Sequence, residues 1–242
     1  MSEEKSVLRW GGLAGILGGV VSILSAVVGL AFWPPPPVGP CGAPCFVDES
    51  VANFPAAKVH TTVGYAAYFS ALILLLFLFL TLYRALRVSS LAPALFGSVV
   101  GIVGLTMLIA GGFPSVAFAH LSDLYHAPGA IPQDQATLVL ISQGVQAIFN
   151  ETDTVAGILL GIAFILLGGA MLRSPHFGRA FGGASLVLGL VGLVGVFVIS
   201  IGQDNPNDYA FVIFVTVLPV LLGWKLYSLS SPHKSLATTH EN

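Results

Sequence analysis

The run His120-Leu-Ser-Asp123-Leu-Tyr-His126 sets two imidazoles and a carboxylate at intervals of three. Those groups are chemically sufficient to hold zinc or copper. On a helix His120 and Asp123 are neighbours, while His126 turns well away unless Pro128-Gly129 ends the helix first. A metal shell would draw on His60 and on Glu151 or Asp153 as well, giving a metal ion or an enzyme site in one outer cavity. The spacing matches no zincin motif, and histidines outside an apolar slab are ordinarily solvated or hydrogen-bonded, which is the plainer reading. Glu151 and Asp153 have a plain reading too, because acids at a helix start favour its dipole and Asp153 or Thr154 suits a cap.

A second constellation is a polar stripe. Gln135, Ser142, Gln146, Asn150 and Asp153 follow one another by seven, four, four and three residues, which keeps them on one helical face. Leu138, Ile141, Val145, Ile148 and Phe149 cover another. Two structures satisfy this pattern over 133–150. One is an amphipathic helix lying in the membrane interface and turning at Asn150. The other is a single long helix that begins outside and carries its polar face into the bundle. Gln143, Gln146, Asn150, Glu151 and Asp153 are therefore ligand-binding candidates, and Gln143, Gln146, Asn150 and Asp153 would line any solute path. A third feature, Cys41-Gly-Ala-Pro-Cys45, follows four consecutive prolines, Pro34 to Pro37. These are the only two cysteines, and a disulfide pinning the loop is the expected state on an oxidising face.

The elements that must position these residues are membrane spans. The 242 residues are 55% hydrophobic and only 8% charged, with a mean hydropathy of +0.90. A soluble domain carries about 25% charged residues, so most of this surface cannot face water. Crossing a slab of roughly 30 Å takes about 20 helical residues. Six runs meet that length, at approximately 10–33, 61–83, 91–113, 154–172, 180–202 and 209–228. No alternating porin pattern accompanies them. The expectation is an all-α polytopic bundle of six transmembrane helices over 1–230, with an outer loop at 34–59, the amphipathic outer-face segment at 133–150 before the fourth span, and a cytoplasmic tail at 231–242.

Lys5, Arg9, Arg84, Arg87, Arg173, Arg179, Lys225 and Lys234 then share one side of the membrane, and only Lys58 falls on the other. The positive-inside rule puts both termini in the cytoplasm and the Pro/Cys loop outside, in a multi-pass cell-membrane protein. The first apolar run is longer than a signal peptide's h-region, so it is expected to be retained. A net charge of −2 and the absence of any recognition motif leave no case for nucleic acid. There is no Walker A loop, Rossmann fingerprint or Gly-x-Ser-x-Gly elbow.

Small residues indicate how the helices meet: Gly11, Gly15 and Gly19, then Gly97 and Gly101, Gly157 and Gly161, and Gly189, Gly192 and Gly195. The second span is nearly all Leu and Phe over 72–80, which places it on the lipid-facing perimeter or against a partner subunit. Pro219 should kink the sixth helix.

Leu82-Tyr83-Arg84-Ala85-Leu86-Arg87 closes the second span, and Leu172-Arg173-Ser174-Pro175-His176-Phe177-Gly178-Arg179 precedes the fifth. With the amphipathic segment feeding the fourth span, this layout resembles the DUF4386 family of six-span prokaryotic membrane proteins. The resemblance implies a fold and a membrane setting but no catalytic residues, and the proline-rich loop with its cysteines is foreign to that pattern. The expected function is a non-enzymatic accessory subunit or outer-face binding protein, in contact with membrane lipid and with a membrane-protein partner or a second copy. A metal protein or enzyme at the outer mouth, and a small-solute channel or transporter, are the alternatives.

Overall fold

The computed structural model describes the backbone of residues 2–32, 43–201 and 213–230, and their side chains except at 2, 29–32, 43–57, 60, 61, 115, 197–201, 213 and 214. The described chain is helical, with no strand among the described residues. The helices are α1 (Ser2–Phe32), α2 (Ala43–Leu86), α3 (Leu91–Tyr125), α4 (Pro132–Leu172), α5 (Gly178–Ile201) and α6 (Leu218–Ser230). The first five each contain a stretch long and apolar enough to cross a membrane, and α6 with its lead-in forms a shorter apolar helix. A π-helical turn at Ile213–Val217 precedes α6. Pro219 lacks an N–H and its ring crowds the carbonyl four residues back, so the wider turn there is the local answer to the expected kink.

Close backbone approach sets the packing. A Cβ on Gly223 of α6 would stand 2.6 Å from the Gly12 carbonyl oxygen and 2.7 Å from the Ile16 nitrogen, so α1 and α6 touch backbone to backbone. On α1, Gly12 and Gly19 face α6, Gly11 and Gly18 face α2, and Gly15 meets both. The α4–α5 seam is built the same way from Gly161 against Gly189 and Gly168 against Gly182. On α3, Gly97, Gly104 and Gly111 lie against Leu167, Leu160 and Thr152 of α4, whereas Gly101 and Gly112 receive Phe79 and Phe69 of α2. Gly97 and Gly101 therefore serve two different neighbours rather than one stripe. Without water to drive association, such contacts gain from dispersion and small residues permit them.

The second helix is where the sequence misleads. Ala71, Leu72, Leu75, Leu78, Phe79, Leu82 and Leu86 are all buried, and they form the core with Leu105, Leu108, Leu160, Phe164, Leu167, Leu218 and Leu222. Helix α2 packs on α1, α3, α4 and α6, so one face of its Leu/Phe run is bundle core and only the opposite stripe is left on the perimeter. Only Ile73, Phe77 and Leu80 of its apolar run are exposed. A Leu/Phe-rich helix is equally comfortable against lipid or against other helices, and the glycines of α1 and α3 opposite it decide the matter.

Helix lengths shape the other end. The turns at 87–90 and 173–177 lie at the end carrying Arg84, Arg87, Arg173 and Arg179, where Leu86, Ala94, Ala170, Met171 and Phe177 share one core cluster. From that basic end, α2, α3 and α4 run for 44, 35 and 41 residues, or about 66, 52 and 61 Å at 1.5 Å per residue. A slab of about 30 Å is used up after about 20 residues, near Phe69, Gly111 and Thr152. All three helices therefore continue together past it. The 133–150 segment is the first half of α4, with no break at Asn150, so of the two structures open to it the single long helix is the one formed. About two thirds of the expected 34–59 loop is likewise helix, because α2 starts at Ala43.

Candidate functional site at the protruding end

Antiparallel register carries contacts from the core out to the protruding tip. Beyond the slab, α3 ends at Tyr125 and Gly129 takes a φ of 87°, a left-handed conformation suited to glycine, before Pro132 starts α4. The Gln135 amide Nε2 donates to the Tyr125 carbonyl at 3.1 Å, tying the start of α4 to the end of α3. Leu121, Ser122 and Ser142 are buried between the two helices, and the Ser142 hydroxyl donates to the Val139 carbonyl at 2.8 Å.

Lys58 and Asp123 join α2 to α3. The ammonium meets both carboxylate oxygens at 2.9 Å, with side chains 46% and 59% exposed. Thr62 supports that turn through its hydroxyl, which donates to the Lys58 carbonyl at 2.8 Å. Lys58 is the single basic residue that the charge pattern sets apart from the others, and its partner is one of the acids on the same side. That oddity was the available signal for this pair. His126 lies just past the helix end, where its Nδ1 donates to the Ser122 carbonyl at 2.8 Å and its ring stands edge-on to Tyr125. A carbonyl can only accept, so this contact fixes the tautomer that keeps Nε2 available. His120 is exposed on α3.

Lower down, at the slab boundary, lie the polar residues of α4. Gln146 donates from Nε2 to the Asn150 Oδ1 at 2.9 Å, and the Thr154 hydroxyl donates to the Asn150 carbonyl at 2.9 Å. These bonds run along α4 itself, so Gln146 and Asn150 satisfy each other. Gln143 is half-buried and Glu151 exposed. Asp153 is half-buried and close enough to Tyr68 of α2 to act on it electrostatically. Tyr65, Tyr68, Phe69 and Phe113 form an aromatic collar at the same level, with the Phe69 and Phe113 rings stacked at 5.4 Å. Nothing in the sequence joins Tyr68 to Asp153, because that proximity depends on the α2–α4 register.

Among the described residues, Asp123 and Asp153 of the expected metal shell lie on different levels. Asp123 lies about 11 residues, roughly 17 Å, beyond Gly112, whose level Asp153 shares. Among the described residues no three His, Cys, Asp or Glu side chains come together as a metal would require. Asp123 is engaged by Lys58, and the His60 side chain lies outside the described residues, as do Cys41 and the side chain of Cys45. Beneath Asp153 the space between α2, α3 and α4 is filled by Leu72, Leu75, Leu105, Leu108, Ala156 and Leu160, and then by Phe79 against Phe164 at 5.7 Å. The polar stripe thus ends on packed apolar side chains.

A family model described as Domain of unknown function (DUF4386) matches residues 47–227, which takes in α2 to α6 almost whole and leaves α1 outside. No curated protein and no solved structure matches the chain.

Proposed function

From the premise that the chain belongs to the DUF4386 family, whose description carries no activity, we propose that it is a non-enzymatic integral protein of a prokaryotic cell membrane whose protruding end docks the extracytoplasmic part of a membrane-protein partner. One observation carries the reading: α2, α3 and α4 project together past the apolar slab while still displaying apolar side chains. Val116 and Leu124 on α3, and Leu140, Ile141 and Ile148 on α4, are exposed there, Leu140 at 66%. Lipid tails account for exposed Leu and Ile within the slab but not for those about 6–20 Å beyond it. Asp134 and Glu151 are exposed along the same helix, so the complementary surface is apolar with a basic rim. Orientation follows from the positive-inside rule, since Lys5, Arg9, Arg84, Arg87, Arg173, Arg179 and Lys225 gather at the opposite end.

Apolar packing beneath Asp153 weighs against the channel alternative. Glycine stripes consumed within the bundle weigh against their use in a homo-oligomer. The test is purification from the native membrane after cross-linking, comparing wild type with Ile141→Asp/Ile148→Asp and with Val88→Asp, an exposed change at the basic end. A partner retained by wild type and by Val88→Asp but lost from the double variant supports the proposal. A wild-type protein that emerges alone, or a partner indifferent to the double change, overturns it. Labelling of a cysteine placed at Leu140 from the extracytoplasmic side checks the orientation.

A further inference from the structure

The basic end carries a second site, unrelated to the protrusion. An open cleft of about 470 Å³ lies between the first turns of α1 and the end of α6, lined by Lys5, Ser6, Arg9, Trp10, Leu13 and Ser230. Lys5, Arg9 and Leu13 succeed one another by four residues and so stack in a column along one face of α1. Ser6 and Trp10 flank that column; Glu4 points to the opposite face, Glu3 stands one turn before Ser6, and neither acid lines the cleft.

Both cations are available. The Arg9 guanidinium lies over the Tyr227 ring, 5.9 Å from its centroid, a contact that orients the group without using its N–H donors. Neither Arg9 nor Lys5 meets a carboxylate among the described residues. The Ser230 hydroxyl is already committed to the Tyr227 carbonyl at 2.6 Å, so Ser6 is the hydroxyl free to donate. The positive end of the α1 dipole is answered by Glu3 and Glu4 of the first turn, so the cleft relies on the side chains of Lys5, Arg9 and Ser6. The donor set of Arg9, Lys5 and Ser6 matches the chemistry of a phosphate oxyanion, which a guanidinium can bind through two N–H groups.

The rest of the lining says where such a phosphate would sit. Trp10 is 70% exposed and Leu13 lies one turn deeper, toward the apolar slab. An amphipathic indole beside an apolar floor suits the boundary between headgroup and acyl chain. We propose that this cleft is a binding site for the phosphate of an anionic glycerophospholipid, with the headgroup on Lys5, Ser6 and Arg9 and the acyl chains passing Trp10 and Leu13. The ligand chemistry is that of a phosphate ester, and a soluble phosphate is the competing source.

The test uses the full chain in nanodiscs of phosphatidylcholine doped with phosphatidylglycerol, and native mass spectrometry to read retained lipid. Wild type is expected to keep one phosphatidylglycerol in preference to phosphatidylcholine. Lys5→Gln/Arg9→Gln changes two exposed side chains. It should weaken that retention by at least about a hundredfold, about tenfold or more for each charge-assisted hydrogen bond lost. Arg87→Gln/Arg179→Gln removes two charges at the same end but outside the cleft, and in about 0.5 M salt, where diffuse attraction is screened, should change retention by less than about threefold. Equal losses in the two double variants would mean diffuse surface charge and overturn the site, as would wild type without preference. Displacement of the lipid by millimolar inorganic phosphate would assign the cleft to a soluble anion and overturn the lipid assignment.

Discussion

Substituting Gly223 by Ala probes the tightest seam of the bundle. The added Cβ would stand 2.6 Å from the Gly12 oxygen, 2.7 Å from the Ile16 nitrogen and 3.0 Å from the Gly15 carbonyl carbon. All three are backbone atoms of α1, so no side-chain rotation relieves the clash. Reaching ordinary contact near 3.4 Å requires α1 and α6 to part by roughly 0.8 Å. A gap of that size forfeits a quarter to a half of each dispersion contact, about 0.05 kcal/mol per atom pair, and a few tens of pairs span this seam. The expected cost is about 1–3 kcal/mol, the usual range for overpacking. Unfolding by SDS titration, followed by tryptophan fluorescence, reads it conveniently, since Trp10 and Trp224 sit on the two helices concerned. Gly169→Ala is the matched control. Nothing lies within 4 Å of its new Cβ, so it should be neutral or stabilising by up to about 1 kcal/mol through helix propensity. Equal stabilities for Gly223→Ala and wild type would refute the backbone-contact argument.

Other expectations concern the core and the protruding end. Phe79→Ala, which empties the α2 side of the Phe79–Phe164 contact against Gly101, should cost about 3–5 kcal/mol in the same titration. A double-mutant cycle on Lys58→Met and Asp123→Asn should give a coupling below about 1 kcal/mol that shrinks further in about 1 M salt, because the pair is half exposed. Proteoliposomes should show no flux of small polar solutes above empty vesicles, and a flux abolished by Asp153→Asn would contradict the closed packing beneath that residue.

Much of the architecture was legible in the residues themselves. Runs of about 20 apolar positions, seven described cations spaced to fall at one end and the match of short motifs to one family layout are properties of local composition. Heights and neighbours were not legible. The polar stripe from Gln135 to Asp153 showed that the segment had one wet face, but not whether the helix would break at Asn150. The helix runs unbroken through Asn150, packed along α3 from Gly111 against Thr152 up to the buried Ser122 and Ser142. Of the candidate site, Asp123 stands near the end of α3 and Asp153 within α4, about 11 residues lower. Their division into two tiers follows from helix length, which the loop boundary chosen at Phe113 had hidden.

Sequence alone, then, determined an all-helical membrane protein with a basic end and an acidic end, because chain segments partition by hydropathy and charge regardless of their neighbours. Tertiary structure alone decided that one face of α2 is bundle core, that Gly97 and Gly101 answer to different helices and that Lys58 belongs to Asp123. A leucine gains much the same transfer energy from lipid as from another leucine, so only the shapes of the surfaces that meet it, here glycine grooves on α1 and α3, can choose between them.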